Sequence, residues 1–176
     1  MKKIWIYLIA LLFLGALAFI PKVRELFLPV AEIKQAVQID DASYDIQLKG
    51  LNTPDINLKS LKGDKLVFLN FWGTWCAPCR EEWPTIEALY QSRNKDIDFV
   101  LIAMLDKEED VLKFLKENKY TAPVYIAESP INEQLLPKVY PTTFLLDSRG
   151  QILKKETATL DWNSKEVHEF IDNILK

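Results

Sequence analysis

Cys76 and Cys79 are the only cysteines in this chain of 176 residues, and Ala77 and Pro78 stand between them. Such a pair can perform thiol-disulfide exchange. One thiolate attacks a disulfide sulfur, and the second, at i+3, reaches round to resolve the mixed disulfide. The pair falls where an apolar strand pattern gives way to a helical one. The first cysteine therefore lies near unpaired backbone N–H groups and the positive end of a helix dipole, which favours its thiolate. Trp72 and Trp75 are placed to cover one side of the sulfur, and Pro78 stiffens the first turn. The spacing alone also admits a structural disulfide, half a zinc site or two inert core cysteines. A bridge over two residues closes too small a loop to stabilise much. Zinc takes three or four ligands, and the single histidine, His168, is far along the chain on the last helix. Inert cysteines would give no reason for Pro78 or for the helix start beneath them.

The elements that must position this pair are legible around it. Leu66 to Phe71 is a nearly continuous apolar run, as a strand covered on both faces reads. It leads directly into a helix in which Cys79, Trp83, Ile86 and Tyr90 share one stripe, with Pro84 expected to kink it. Phe99 to Met104 reads as a second buried strand, Asp106 to Asn118 as a helix and Val124 to Ile126 as a third strand. A short helix is expected over Ile131 to Leu136. Thr143 to Leu146 should pair with Ile152-Leu153 across Asp147-Ser148-Arg149-Gly150 as a hairpin. Tyr44 to Leu48 alternates as a short strand. A last helix carries Val167, Phe170, Ile171, Ile174 and Leu175, with Asn163 and Glu166 as its capping box. This order predicts an α/β fold, a central mixed sheet with helices on both faces.

Composition narrows the functional classes. At 49% hydrophobic and 27% charged, with 5 glycines, the chain should fold as one domain. A net charge of −3 lacks the positive excess that nucleic-acid binding needs. Met1-Lys2-Lys3 precedes an apolar run from Ile4 to Ile20, which spans roughly 25 Å as a helix. Basic residues ahead of such a run mark export, and positive-inside orientation puts the rest of the chain outside the cytoplasm. The run reads as a transmembrane anchor. Ala16-Leu17-Ala18 offers the rival reading, a cleaved signal peptide, although the apolar run continues through Phe19-Ile20. His168, between Lys165 and Glu169, reads as a solvent-facing helix residue.

The segment from Phe71 to Pro84 (FWGTWCAPCREEWP) resembles the active-site segment of thioredoxin-like proteins. It is most similar to the membrane-anchored extracytoplasmic thiol-disulfide oxidoreductases of the TlpA/ResA family. Tyr140 to Gly150 (YPTTFLLDSRG) resembles that family's second signature, and the likeness runs from about Leu51 to the C-terminus. The resemblance implies a thioredoxin-like domain, taken over residues 43–176, and the sequence pattern ahead of it reads as a membrane-proximal connector over 22–42 and a transmembrane signal-anchor or signal peptide over 1–21. It implies Cys76 as nucleophile and Cys79 as resolving thiol. It also implies a cis Pro141 facing them, so that Trp75, Tyr140 and Pro141 contact an extended substrate by strand addition.

Thioredoxins carry a buried proton-relaying Asp six residues before the first cysteine, but that position is Asn70 here, which cannot titrate. Glu82, at i+3 from Cys79 on the same helical face, matches the family's active-site glutamate and is the expected proton relay. The activity implied is disulfide exchange on exported proteins, as a protein-disulfide reductant, for example in cytochrome c maturation. Expected partners are exported thiols and disulfides, a membrane-bound electron donor and the membrane itself. No metal and no cofactor beyond the redox-active Cys76-Cys79 pair is expected. The catalytic domain would be extracytoplasmic, periplasmic in a Gram-negative cell. An oxidant that installs disulfides and, less well supported, a metallochaperone on the same scaffold are the alternatives; Pro78 before the second cysteine resembles the more reducing centres.

Overall fold

A computed structural model describes residues 37–63 and 65–175. The apolar run Ile4 to Ile20, expected to be an anchor, lies outside them, and among the described residues no helix is long and apolar enough to cross a membrane. Eight strands are described: β1 (Val37–Gln38), β2 (Gln47–Gly50), β3 (Ile56–Asn57), β4 (Leu66–Trp72), β5 (Ile97–Ala103), β6 (Val124–Ala127), β7 (Thr142–Leu146) and β8 (Gln151–Glu156). The helices are α1 (Ala77–Arg93), α2 (Glu108–Asn118) and α3 (Lys165–Ile174). The strands form one mixed sheet in the order β1-β8-β7-β4-β5-β6-β2-β3, with β4, β5 and β6 parallel and β7 antiparallel to β4. The sheet reaches back into the expected connector, since β1 pairs with β8 and Ile39 is buried.

β4 is buried at every position, Asn70 included, as its nearly continuous apolar run requires of a central strand. Its alternate residues divide between two cores. Leu66, Phe68 and Trp72 join Trp83, Ile86 and Leu89 of α1, Val111 and Leu115 of α2, and Val167 and Ile171 of α3. Val67, Leu69 and Phe71 pack on the other face with Ile39, Tyr44, Ile46, Leu58 and Leu135. The buried side chains of all three α-helices thus share one cluster, and the other face carries only the short 3-10 helix Leu58–Leu61, through Leu58, so the expectation of helices on both faces is corrected to α-helices on one face. The missing cover is the helix expected over Ile131 to Leu136, where there is a single turn closed by Leu135 and Leu136 N–H groups on the Asn132 carbonyl. Pro137 explains the stop, because a proline disfavours helical backbone at the residue before it.

Two further differences concern α3. Ser164, not Asn163, caps α3, its hydroxyl accepting from Val167 N, while Asn163 Oδ1 lies 2.9 Å from His168 Nε2. His168 is half-buried, and its Nδ1 accepts from Arg93 Nε at 3.2 Å, so it links α3 to α1 where a solvent-facing residue was expected. α1 continues through Pro84 to Arg93. The β7–β8 turn closes as expected, with Asp147 Oδ1 accepting from the N–H groups of Arg149 and Gln151 and Gly150 taking φ +87°.

Candidate active site

Cys76 is the N-cap of α1. Its Sγ accepts from Cys79 N at 3.3 Å and its carbonyl from Arg80 N at 3.2 Å, the roles that an N-cap serine or aspartate usually fills. Sulfur is therefore held against the free N–H groups of the first turn, where a negative charge gains most. The two cysteines are joined in a disulfide, and both are buried, Cys76 at 5% exposed and Cys79 at 1%. Pro78 stands within the first turn, where its missing N–H costs nothing.

The loop ahead of Cys76 is tied down from two sides. Asp106 accepts from Thr74 N at 2.5 Å and from Thr74 Oγ1 at 2.7 Å, and Arg80 donates to the Thr74 carbonyl at 2.5 Å. Trp75 donates its indole N–H to the Met104 carbonyl at 2.9 Å and leaves half its surface in solvent. Its ring meets Tyr140 edge to face at 5.3 Å, and the Tyr140–Pro141 peptide bond is cis. Trp75, Tyr140 and Pro141, from two distant loops, thereby form one rim. Beneath it, Trp72 and Trp83 pack edge to face and Trp83 stacks on Tyr120, a wall of aromatic side chains under the start of α1.

Glu82 is 1% exposed, one helical turn beyond Cys79. One of its carboxylate oxygens accepts the indole N–H of the equally buried Trp162, while the other has no hydrogen-bond partner among the described residues. Burial outweighs the Trp162 hydrogen bond and pushes the Glu82 carboxyl up to about 7, with the Glu156 carboxylate adding to the rise. A group so placed can hold or release a proton at neutral pH. Asn70 is fully buried and spends its Nδ2 on Thr143 Oγ1 at 2.8 Å, so the neutral amide at this position braces β4 against β7.

Sequence reasoning did not single out Asp106, Thr74, Arg80 or Trp162. Asp106 was expected to open α2, but that helix starts at Glu108 and the carboxylate is committed to Thr74. A lone tryptophan in the polar stretch Asp161-Trp162-Asn163 was the one available signal for the partner of Glu82. Among the described residues no three His, Cys, Asp or Glu side chains are grouped to hold a metal ion.

Comparison with known proteins places the chain in a family. Residues 39–155 match the AhpC/TSA family. The thioredoxin-like protein YneN of Bacillus subtilis is 32% identical over 136 residues, 70% of this chain and 79% of that protein. The thiol-disulfide oxidoreductase ResA of Bacillus cereus is 35% identical over 124 residues, covering 69% of this chain and 71% of its own. The crystal structure of StoA from Bacillus subtilis shares the fold, with a TM-score of 0.56 and 24% identity over 65% of this chain and 87% of that one.

Proposed function

We propose, for a chain that belongs to the AhpC/TSA family and to the ResA-type thiol-disulfide oxidoreductases, that the Cys76–Cys79 pair reduces disulfides of exported proteins. The observation that carries this reading is the pairing of an N-cap sulfur with a dry carboxyl one turn beyond its partner. In the dithiol form, Cys76 thiolate attacks one sulfur of the substrate disulfide. The substrate S–S bond breaks, its other sulfur leaves with the bonding pair and takes a proton, and a mixed disulfide remains on Cys76. Glu82 carboxylate then accepts the Cys79 thiol proton. The Cys79 sulfur attacks Cys76, the mixed disulfide breaks, and the second substrate sulfur leaves and is protonated. Two electrons pass to the substrate, and a dithiol donor must restore the pair.

Reduction is favoured over oxidation because strong oxidants have a stabilised reduced form. Here the Glu82 carboxylate and its apolar surroundings disfavour a neighbouring thiolate. Trp75, Tyr140 and cis Pro141 form the substrate rim. The Ile4 to Ile20 run holds the domain on the outer side of a membrane, where an exported substrate and a membrane-bound donor meet it. Apocytochrome c cysteines are the substrate this setting suits. Trapping tests the chemistry: Cys79→Ser should accumulate a mixed disulfide through Cys76, and Cys76→Ser should not. Accumulation through Cys79 instead would reverse the assignment.

A further inference from the structure

Leu105 is 85% exposed and takes φ +55°, a left-handed conformation that a side chain with a Cβ adopts only against strain. Glycine or asparagine would fit this backbone with less strain, and a leucine there gains no burial within the chain. The conformation is nonetheless firmly held. Met104 N donates to the Trp72 carbonyl at 2.8 Å, the Met104 carbonyl accepts from Trp75, and Asp106 clasps Thr74, so both neighbours of Leu105 are tied to the loop that ends in Cys76. The same rim exposes half of Trp75 and, from the β6–β7 loop beside Tyr140, half of Val139. Strain fixed by its surroundings at the edge of a reactive centre is the form that ligand-contacting residues take.

We propose that Leu105 reads the substrate: with Trp75 and Val139 it packs on an apolar side chain flanking the cysteine that Cys76 attacks. The occupant is a cysteine-bearing polypeptide, because Trp75 adjoins Cys76 in the chain and binds the carbonyl of Met104, the residue before Leu105, which sets these exposed apolar side chains beside the exchange site. This inference rests on the exchange activity proposed above.

The test uses full-length, pre-reduced protein in mild detergent and two peptides, each with an internal disulfide, one flanked by leucines and one by serines. The readout is the ratio of the two second-order rate constants for peptide reduction. Wild type should favour the leucine-flanked peptide about tenfold, the discrimination an apolar contact provides. Leu105→Asn and Leu105→Gly, both compatible with left-handed backbone, should bring the ratio to within about twofold of one. A wild-type ratio near one, or a ratio unchanged in both variants, overturns the inference. So would loss of self-association in Leu105→Asn with the ratio unchanged, which would assign the patch to a second copy of the chain. If wild type reduces neither peptide nor hydroxyethyl disulfide, the exchange reading itself fails, and this one with it.

Discussion

Glu82→Gln isolates the buried carboxyl. The glutamine keeps an oxygen to accept the Trp162 indole N–H and removes the titration. The carboxyl titrates near 4.5 when unfolded and at about 7 in the folded protein, raised by burial. The folded state therefore binds the extra proton between these values. A raised carboxyl stabilises fully below pH 4.5, and that contribution is lost as pH climbs to about 7, then stays lost. The difference of about 2.5 pH units corresponds to about 3.5 kcal/mol at 1.4 kcal/mol each, of which about 3 kcal/mol falls between pH 4.5 and 8. Urea unfolding of the oxidised proteins at pH 4.5 to 8 measures it without interference from the cysteines. Asp41, Glu87 and Asp147, held below the usual carboxylate range, titrate under this window and cancel between the two proteins. Glu82→Gln should gain on wild type by about 3 kcal/mol across the range. Parallel stability curves would refute the raised titration, and with it the proton relay.

Asp106→Ala should cost about 2 kcal/mol by leaving Thr74 N and Oγ1 without their carboxylate, as measured by urea unfolding. Glu87 is pushed up by burial, but this is outweighed by donors from Thr121, Gln91 and the Ala122 amide, which hold it low. Its stabilisation is present above pH 4.5 and is lost as pH falls through its folded value, so the advantage of wild type over Glu87→Gln should shrink in acid unfolding curves. Intact-mass analysis of protein recovered from membranes should find the Ile4 to Ile20 run retained, and a mature N-terminus at Phe19 would make it a signal peptide.

The sheet's centre and the cysteine pair were legible because local rules dictate them. The nearly continuous apolar run Leu66 to Phe71 reads as a strand covered on both faces, and Cys76 is placed at a helix start by the pattern that follows it. Competition between neighbours was not legible. Asn163 and Ser164 can both cap α3, and the sequence does not say that Asn163 Oδ1 is taken up beside His168 Nε2. Apolar spacing over Ile131 to Leu136 suggested a helix, and Pro137 limited it to one turn. Asp106 was helix-opening by local chemistry and was claimed by Thr74, 32 residues earlier. The active site's second layer, Trp162 on Glu82 and Asp106 on Thr74, depends on such long-range pairs, which spacing along the chain does not encode.

The direction of electron flow is the central claim, and the reduction potential of the Cys76–Cys79 pair measures it. Equilibration of the full-length protein with graded dithiothreitol buffers, read by intact mass after thiol alkylation, gives the value. A carboxylate beside a dry thiol withholds thiolate stabilisation from the reduced form, and the expected potential is close to the roughly −270 mV of thioredoxin. A value near −120 mV, that of a strong disulfide-forming oxidant, would contradict it.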